Sequence, residues 1–389
     1  MKSTPSRIMI IAGEASGDLH ASRLVSSISE QYPQIMFSGM GGPYMDSAGV
    51  EILFSYENVS VTGILDGMKV IPELIKTRSK ILKFAIEKKP DIVIFVDFPG
   101  FNMNLVKFLK KNLLKSRMIY FIPPQIWGWK PSRSKKIAKN FDLILTIFPF
   151  ENEFFKKSNI PAKYIGNPIC FELMQKTKTS LTKNHLNIEN SYNIIALVPG
   201  SRGKELNRHL PAMIDAARIL HSELSKTVFV VSEANSLPKD IIHSFLNKSE
   251  NFILPYRGKL SELLKISDFA IVSSGTASLE ASVLGVESIL IYKTDILSYF
   301  LAKYFLMRVD YLGLSNLIVG EEVVPELLQG KVNGIDIAKL VRNRFIEGNK
   351  FKKEKPFISE IRKKLESSNP YTKASEYIFQ DWIENADKK

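Results

Sequence analysis

What most constrains this chain is an alternation kept up along nearly its whole length: short apolar runs such as Ile92 to Val96, each followed by a segment of helical period. Runs of that length with no polar face need cover on both sides, which a parallel sheet between helices provides. Candidate strands in the first half are Arg7–Ala12, Ile35–Ser38, Asp91–Val96, Arg117–Ile122 and Asp142–Ile147. In the second half they are Asn193–Val198, Thr227–Val231, Asp268–Val272 and Glu287–Ile291. Each half opens alike, with an apolar strand, a small-residue turn and a helix: Ile8 to Gly13, and Ile194 to Gly200. The expected class is therefore α/β, with two Rossmann-like domains facing a cleft. Lys176 to Ser191 is polar and weakly periodic, which sets the boundary near residue 170 and gives domains 1–170 and 171–346. A length of 389 residues suits two domains at roughly 150 residues each.

The tail has another character. Phe351 to Glu366 is strongly charged, and the last helix carries Tyr371, Ala374, Ile378 and Trp382 on one face. That face requires a partner surface. Residues 347–389 are expected to cross back onto the first domain, and exchange between two chains, giving a homodimer through these helices, is the other arrangement the face permits.

Composition excludes several classes. With 45% hydrophobic and 24% charged residues the chain is neither disordered nor fibrous. No apolar run approaches the roughly 20 residues needed to span a bilayer. Ile8 to Ala12 is too short for a signal-peptide core, so the mature chain is expected to start near Met1. A single cysteine, Cys170, cannot form an internal disulfide, and a cytoplasmic location follows as the simplest expectation. The five histidines form no ligand-spaced pair and no Asp-x-Asp occurs, so neither a metal site nor a cofactor is expected.

The formal charge of +13 is concentrated. Between Asp66 and Asn140 seventeen Lys and Arg stand against five Asp and Glu, a net of +12. That window either solvates helix faces or meets an anionic partner, lipid headgroups or a phosphorylated substrate. Nucleic acid is not expected, because no binding-module signature accompanies the charge. Within the window Met68, Ile71, Leu74, Ile75 and Leu82 recur at helical spacing, interleaved with Lys69, Lys76, Arg78, Lys80 and Lys83. This pattern suits a helix lying on an anionic membrane, and equally one packed on its own sheet. Tyr120 to Lys130 holds Trp127 and Trp129 around paired prolines and runs into Lys130, Arg133, Lys135, Lys136 and Lys139, which suits either an apolar ligand channel beside cations or a core corner.

In open α/β sheets ligands gather at the carboxyl ends of the strands, so the turns there are the candidate sites. Pro199-Gly-Ser-Arg-Gly-Lys-Glu205 opens a helix and offers free N–H groups with the Arg202 guanidinium, as a phosphate site does. It matches neither GxGxxG nor the Walker sequence. Ser273-Ser-Gly-Thr-Ala-Ser-Leu-Glu280 repeats the design, with Glu280 placed either to accept ribose hydroxyls or to complement the helix dipole. Two such turns in one domain suggest a nucleoside diphosphate. In the first domain Asp97 ends its strand beside Phe98 and Phe101, where partial desolvation raises a carboxyl pKa and makes a general base. An N-cap for the following helix is the other reading, and Glu14 is the rival base.

In this order the motifs resemble the lipid-A-disaccharide synthase family, bacterial glycosyltransferases that join two acylated glucosamines. The matching stretches are Ala12 to Asp18, Asp97 with Asn102, Ile126-Trp-Gly-Trp129, Phe148 to Glu151, Tyr164 to Pro168, Pro199 to Gly203, Ser274 to Glu280, Leu314 to Leu317 and Glu326 to Gln329. The resemblance implies a glycosyltransferase of the B type (GT-B) that inverts the donor anomeric carbon without metal. Its donor is UDP-2,3-diacylglucosamine and its acceptor 2,3-diacylglucosamine 1-phosphate (lipid X), drawn from the inner face of the inner membrane, where the protein is peripheral. A GT-B enzyme with another lipid-linked acceptor, a UDP-sugar epimerase and a non-catalytic nucleotide-sugar-binding protein are the alternatives. The resemblance makes Asp97 the leading base for the acceptor hydroxyl, with Glu14 essential. Arg202, Thr276, Glu280 and Asn316 hold UDP, with Ser201, Gly275, Ala277, Ser278 and Gln329 in the same substrate-binding set. Met68, Lys69, Ile71, Lys76, Trp127, Trp129 and Arg133 are the expected acceptor and membrane contacts.

Overall fold

The computed structural model describes residues 4–58, 64–113, 115–124, 134–175, 181–247, 250–273, 275–295, 310–350, 356–365 and 368–385. The chain divides into two compact units, Met1–Phe171 with Ser367–Lys389, and Glu172–Glu366.

In the first unit the order is β1 (Arg7–Ala12), α1 (Ala15–Gln31), β2 (Met36–Gly41), α2 (Pro43–Ser47), β3 (Glu51–Ser55), α3 (Ile64–Lys88), β4 (Ile92–Val96), α4 (Pro99–Asn112), β5 (Arg117–Phe121), α5 (Ser134–Asn140), β6 (Leu143–Thr146), α6 (Pro149–Lys157) and β7 (Ala162–Tyr164). The seven strands pair in the order β3-β2-β1-β4-β5-β6-β7, every pair parallel. Alternation along β1 fills two cores. Ile8, Ile10 and Ala12 join Leu24, Val25 and Ile28 of α1, while Met9 and Ile11 join Ile81 of α3 and Leu105 and Leu109 of α4.

After α7 (Pro168–Met174), the second unit runs β8 (Asn193–Val198), α8 (Gly203–Glu223), β9 (Thr227–Ser232), β10 (Ile253–Tyr256), α9 (Leu260–Ile266), β11 (Phe269–Ser273), α10 (Thr276–Leu284), β12 (Ser288–Tyr292), α11 (Leu314–Val319), β13 (Glu326–Leu328), α12 (Gly334–Lys350) and α13 (Pro356–Leu365). Its six strands pair in the order β10-β9-β8-β11-β12-β13, again all parallel. Ile195 and Leu197 pack with Leu206, Leu210 and Met213 of α8 and Val341 of α12, and Ile194, Ala196 and Val198 with Leu263 and Ala281. The expected α/β class with two parallel sheets is therefore what the chain adopts. Four strands escape the sequence reading: β3, β7, β10 and β13.

The tail departs from the expectation that all of 347–389 leaves the second domain. Helix α13 stays with the second unit, burying Ile358, Ile361 and Leu365. Its cations cap helix ends, Arg362 Nε donating to the Val283 carbonyl at 2.8 Å and Lys364 Nζ to Ile318 at 3.0 Å. Carbonyls in the last turn of α10 and α11 lack intrahelical donors, so these bonds hold α13 in place. Only the final helix α14 (Pro370–Asn385) joins the first unit, where Tyr371, Ala374 and Ile378 enter the core beside α1 with Trp382 packed against it. Arg117 at the start of β5 grips Asp381 of α14 with two bonds, at 2.7 and 2.5 Å.

Candidate active site

Strand order reverses between β1 and β4 in the first sheet and between β8 and β11 in the second. Crevices at the carboxyl ends of such strands are where open α/β sheets hold ligands.

In the first unit Ala12 pairs with Val96, so Gly13 and Glu14 leave the sheet beside Asp97. The Asp97 carboxyl is hydrogen-bonded to that of Glu14 and pushed up to about 7, first by burial and then by the Glu14 charge, with its own Phe98 N–H pulling the other way. Two carboxyls in contact cannot both ionise cheaply, which adds to the rise of the Asp97 pKa. Ser16 Oγ donates to Glu14 Oε1 at 3.1 Å. A Cβ on Gly13 would overlap the Phe98 ring, so glycine there makes room for the aromatic beside the exits of both strands. The structure thus brings together the two carboxylates between which the sequence reading chose.

Other motif residues serve the scaffold. The fully buried Asp18 accepts N–H groups of Gly42, Tyr44 and Met45 at 2.8, 3.0 and 3.1 Å and ties α1 to the start of α2. Glu151 accepts from Ile147 and Phe148, and Asn167 Oδ1 from the Cys170 N–H at 3.0 Å.

In the second unit both turns open helices without a side-chain cap, at Arg202 for α8 and Gly275 for α10. Gly200 and Gly275 stand at φ 115° and 114°, which only glycine adopts at low cost. The first turn already holds an anion of the protein's own. Glu205 Oε2 accepts the Ser201 N–H at 3.1 Å, and its Oε1 lies 3.3 Å from Arg202. Arg202 is otherwise exposed, with 81% of its side chain accessible. In the second turn Ser278 Oγ donates to the Gly275 carbonyl at 2.9 Å, while Gly275 and Thr276 are exposed and Ala277 half-buried. Burial alone pushes Glu280 up to about 7, and its carboxyl has no hydrogen-bond partner among the described residues.

Asn316, expected to hold UDP, is engaged within the scaffold in this structure. It is fully buried, its Nδ2 donating to the Val324 carbonyl and Glu326, and its Oδ1 accepting from Val323 and Val324, all within 2.8–2.9 Å. Glu326 in turn accepts the N–H groups of Leu312 and Gly313, which fixes the chain before α11. Gln329 Oε1 accepts the Thr294 N–H at 3.3 Å, and its buried Nε2 has no partner among the described residues.

One histidine was missed. His209 lies on the buried face of α8, donates from Nδ1 to the Pro199 carbonyl at 3.0 Å and accepts the Lys293 N–H at Nε2 at 3.1 Å. Desolvation lowers its pKa, consistent with this neutral tautomer. It joins the turn after β8 to the exit of β12. The available signal was its position one helical turn beyond Glu205, on an otherwise apolar stripe.

Of the expected acceptor and membrane contacts, Lys76 is exposed on α3, 3.8 Å from Glu73. Met68, Lys69 and Ile71 fall on α3, with side chains outside the described residues, and Trp127, Trp129 and Arg133 lie outside them altogether. Among the described residues two cations of the basic window pair with carboxylates of other elements, Lys110 with Asp142 at 2.6 Å and Arg117 with Asp381.

Among solved structures the chain is similar in fold to a UDP-GlcNAc 2-epimerase from Neisseria meningitidis bound to UDP-GlcNAc, with TM-score 0.64 and 12% identity, covering 97% of this chain and all of that one. A lipid-A-disaccharide synthase of Myxococcus xanthus is 34% identical over 376 residues, 97% of each chain. Lipid-A-disaccharide synthase 1 of Legionella pneumophila is 34% identical over 363 residues, 93% of this chain and 94% of its own. The family model described as lipid-A-disaccharide synthetase matches residues 8–380, a span that includes the carboxyl pair, both glycine turns and most of α14. Paired carboxyls on one sheet, anion-ready turns on the other and sequence likeness from end to end agree: the chain belongs to the lipid-A-disaccharide synthetase family.

Proposed function

We propose that the chain is an inverting glycosyltransferase that condenses UDP-2,3-diacylglucosamine with 2,3-diacylglucosamine 1-phosphate, giving a β-1,6-linked disaccharide 1-phosphate and UDP. The second unit takes the donor, with the β8–α8 and β11–α10 turns and Arg202 receiving the pyrophosphate and Glu280 the ribose hydroxyls. Glu205 then yields the Ser201 N–H to a phosphate oxygen. The acceptor 6-hydroxyl oxygen attacks the anomeric carbon opposite the pyrophosphate, and the C1–O bond breaks with its electron pair leaving on UDP. The hydroxyl proton passes to Asp97, which must arrive unprotonated. Arg202 and the helix N–H groups stabilise the charge growing on UDP, a role that metal ions fill elsewhere.

The observation that carries this reading is the Glu14–Asp97 contact, because a carboxyl raised to about 7 is matched to taking a proton near neutrality. Incubation of the purified chain with both lipid precursors and a chelator tests it. A disaccharide phosphate and UDP in equal amounts are expected, and authentic substrates left unchanged by folded protein would overturn it.

The acylated acceptor also supports a peripheral place on the cytoplasmic face of the inner membrane. Among the described residues no helix is long and apolar enough to cross a membrane. Ile75 of α3 and Phe108 of α4 are exposed, and Arg78 lies 4.6 Å over the Phe108 ring, the mixture of apolar and cationic groups that anionic headgroups favour. Sedimentation with anionic, but not zwitterionic, vesicles is the expected result.

A further inference from the structure

Asp97 and Phe98 follow one another in the left-handed backbone region, at φ 41° and 46°. A side chain makes this conformation costly, and two such residues in succession persist only where their surroundings hold them. Two side chains converge on the Asp97 carbonyl oxygen. Tyr120 Oη donates to it at 2.9 Å and Asn102 Nδ2 at 2.7 Å, the latter also reaching the Val96 carbonyl at 3.3 Å. Both donors are fully buried, one on β5 and the other in the second turn of α4. Tyr120 pairs in register with Phe95, so its hydroxyl spans from the neighbouring strand to the end of β4. A strand and a helix therefore each supply one donor to the peptide whose side chain meets Glu14.

We propose that Tyr120 and Asn102 are positioning residues that hold the Asp97–Phe98 elbow in its left-handed form and thereby fix the Asp97 carboxyl against Glu14. This rests on Asp97 being the proton acceptor of the reaction proposed above. Release of the carbonyl lets the elbow relax to negative φ and swings the carboxyl away. A displacement of about 1 Å at a reacting group costs on the order of 10²-fold in rate. It also separates Asp97 from its charged neighbour. Among the described residues Glu14 is the charge that raises Asp97, and Tyr120 is the other titratable group beside it. The separated carboxyl therefore loses its proton at lower pH.

Tyr120→Phe in the full chain tests this, since it keeps the ring and removes only the hydroxyl. The expected result is a kcat lowered about 10- to 100-fold with both KM values changed by less than about threefold, and an acid limb of the kcat profile displaced to lower pH. Asn102→Ser is expected to give the same pair of changes. A side chain that merely packs would lower the folded fraction and leave the acid limb where it was. Wild-type kcat and acid limb in Tyr120→Phe, or a lowered kcat with an unmoved limb, overturns the proposal. A carbon-13 titration of the Asp97 carboxyl, assigned with Asp97→Asn, reads the same displacement without turnover. If wild-type protein transfers no sugar, the proposed reaction fails, and this titration still decides the elbow: an Asp97 titration identical in Tyr120→Phe and wild type rejects it.

Discussion

The two points at which strand order reverses share one topology and are finished in opposite ways. At β1/β4 the exits carry Glu14 and Asp97, and the Phe98 ring fills the space left by Gly13. At β8/β11 the exits carry Gly200 and Gly275 in backbone conformations that leave helix starts without a side-chain cap. The first point accumulates negative charge and is relieved by a proton. The second presents donors and is relieved by an anion, for which Glu205 currently stands in. Topology decides where a site forms; the few residues beyond each strand decide its sign.

The sharpest way to break this contrast is Asp97→Asn. Turnover is expected to fall about 10³-fold while UDP affinity, measured by calorimetry, changes less than about twofold. The same change is expected to raise the thermal midpoint at pH 8. A folded-state pKa of about 7 against an ordinary 3.8 means that stability contributed by the protonated carboxyl is full below about 4 and lost as pH rises through about 7. Asparagine escapes that loss. Equal damage to turnover and UDP binding would show that the two switch points do not divide the labour.

Glu14→Gln comes next. Removing the charged neighbour lowers the Asp97 pKa, so the acid limb of kcat is expected to move to lower pH, with turnover down on the order of tenfold. An unmoved limb would leave burial as the only cause of the raised value.

On the other side, UDP binding by wild-type protein is expected to tighten as pH rises through about 7, because ribose hydroxyls donate to ionised Glu280. Glu280→Gln should abolish that dependence and weaken binding about tenfold at pH 8. The smallest effect is expected from Glu205→Gln. Removing the resident anion from the Ser201 turn should raise UDP affinity roughly two- to fivefold, whereas lower affinity would make Glu205 a support of the turn.

The class of fold was legible because central strands such as β1, β4, β8 and β11 are buried on both faces and read as unbroken apolar runs. The four strands that were missed are the four borders of the two sheets. Glu51–Ser55 and Glu326–Leu328 have no fully buried residue, and Ala162–Tyr164 and Ile253–Tyr256 have one each, so no apolar run marks them. Candidate residues could be named where a turn motif carries them, as with Asp97, Arg202 and Glu280. The residues that hold those turns were not, because Tyr120 sits inside an apolar strand and His209 on an apolar helix face. A hydroxyl or imidazole in such a place must find a partner, but sequence does not say which. Asn316 shows the same limit: its motif was visible, and the internal bonds that occupy its amide were not.

The imidazole of His209 gives the nucleotide side an acid limit of its own. Its Nε2 must stay bare to receive the Lys293 N–H, and a second proton would set two donors against each other at the base of the Pro199 turn. Because its folded-state pKa lies below the ordinary 6.5, the contribution of this bridge is present above about 6.5 and lost as pH falls through the depressed value. Mild acidification therefore protonates Asp97 on one sheet and Glu280 on the other over the same range near pH 7, and deeper acid then loosens the Pro199 turn, so nucleotide release on acidification should come in two steps, of which Glu280→Gln removes the first.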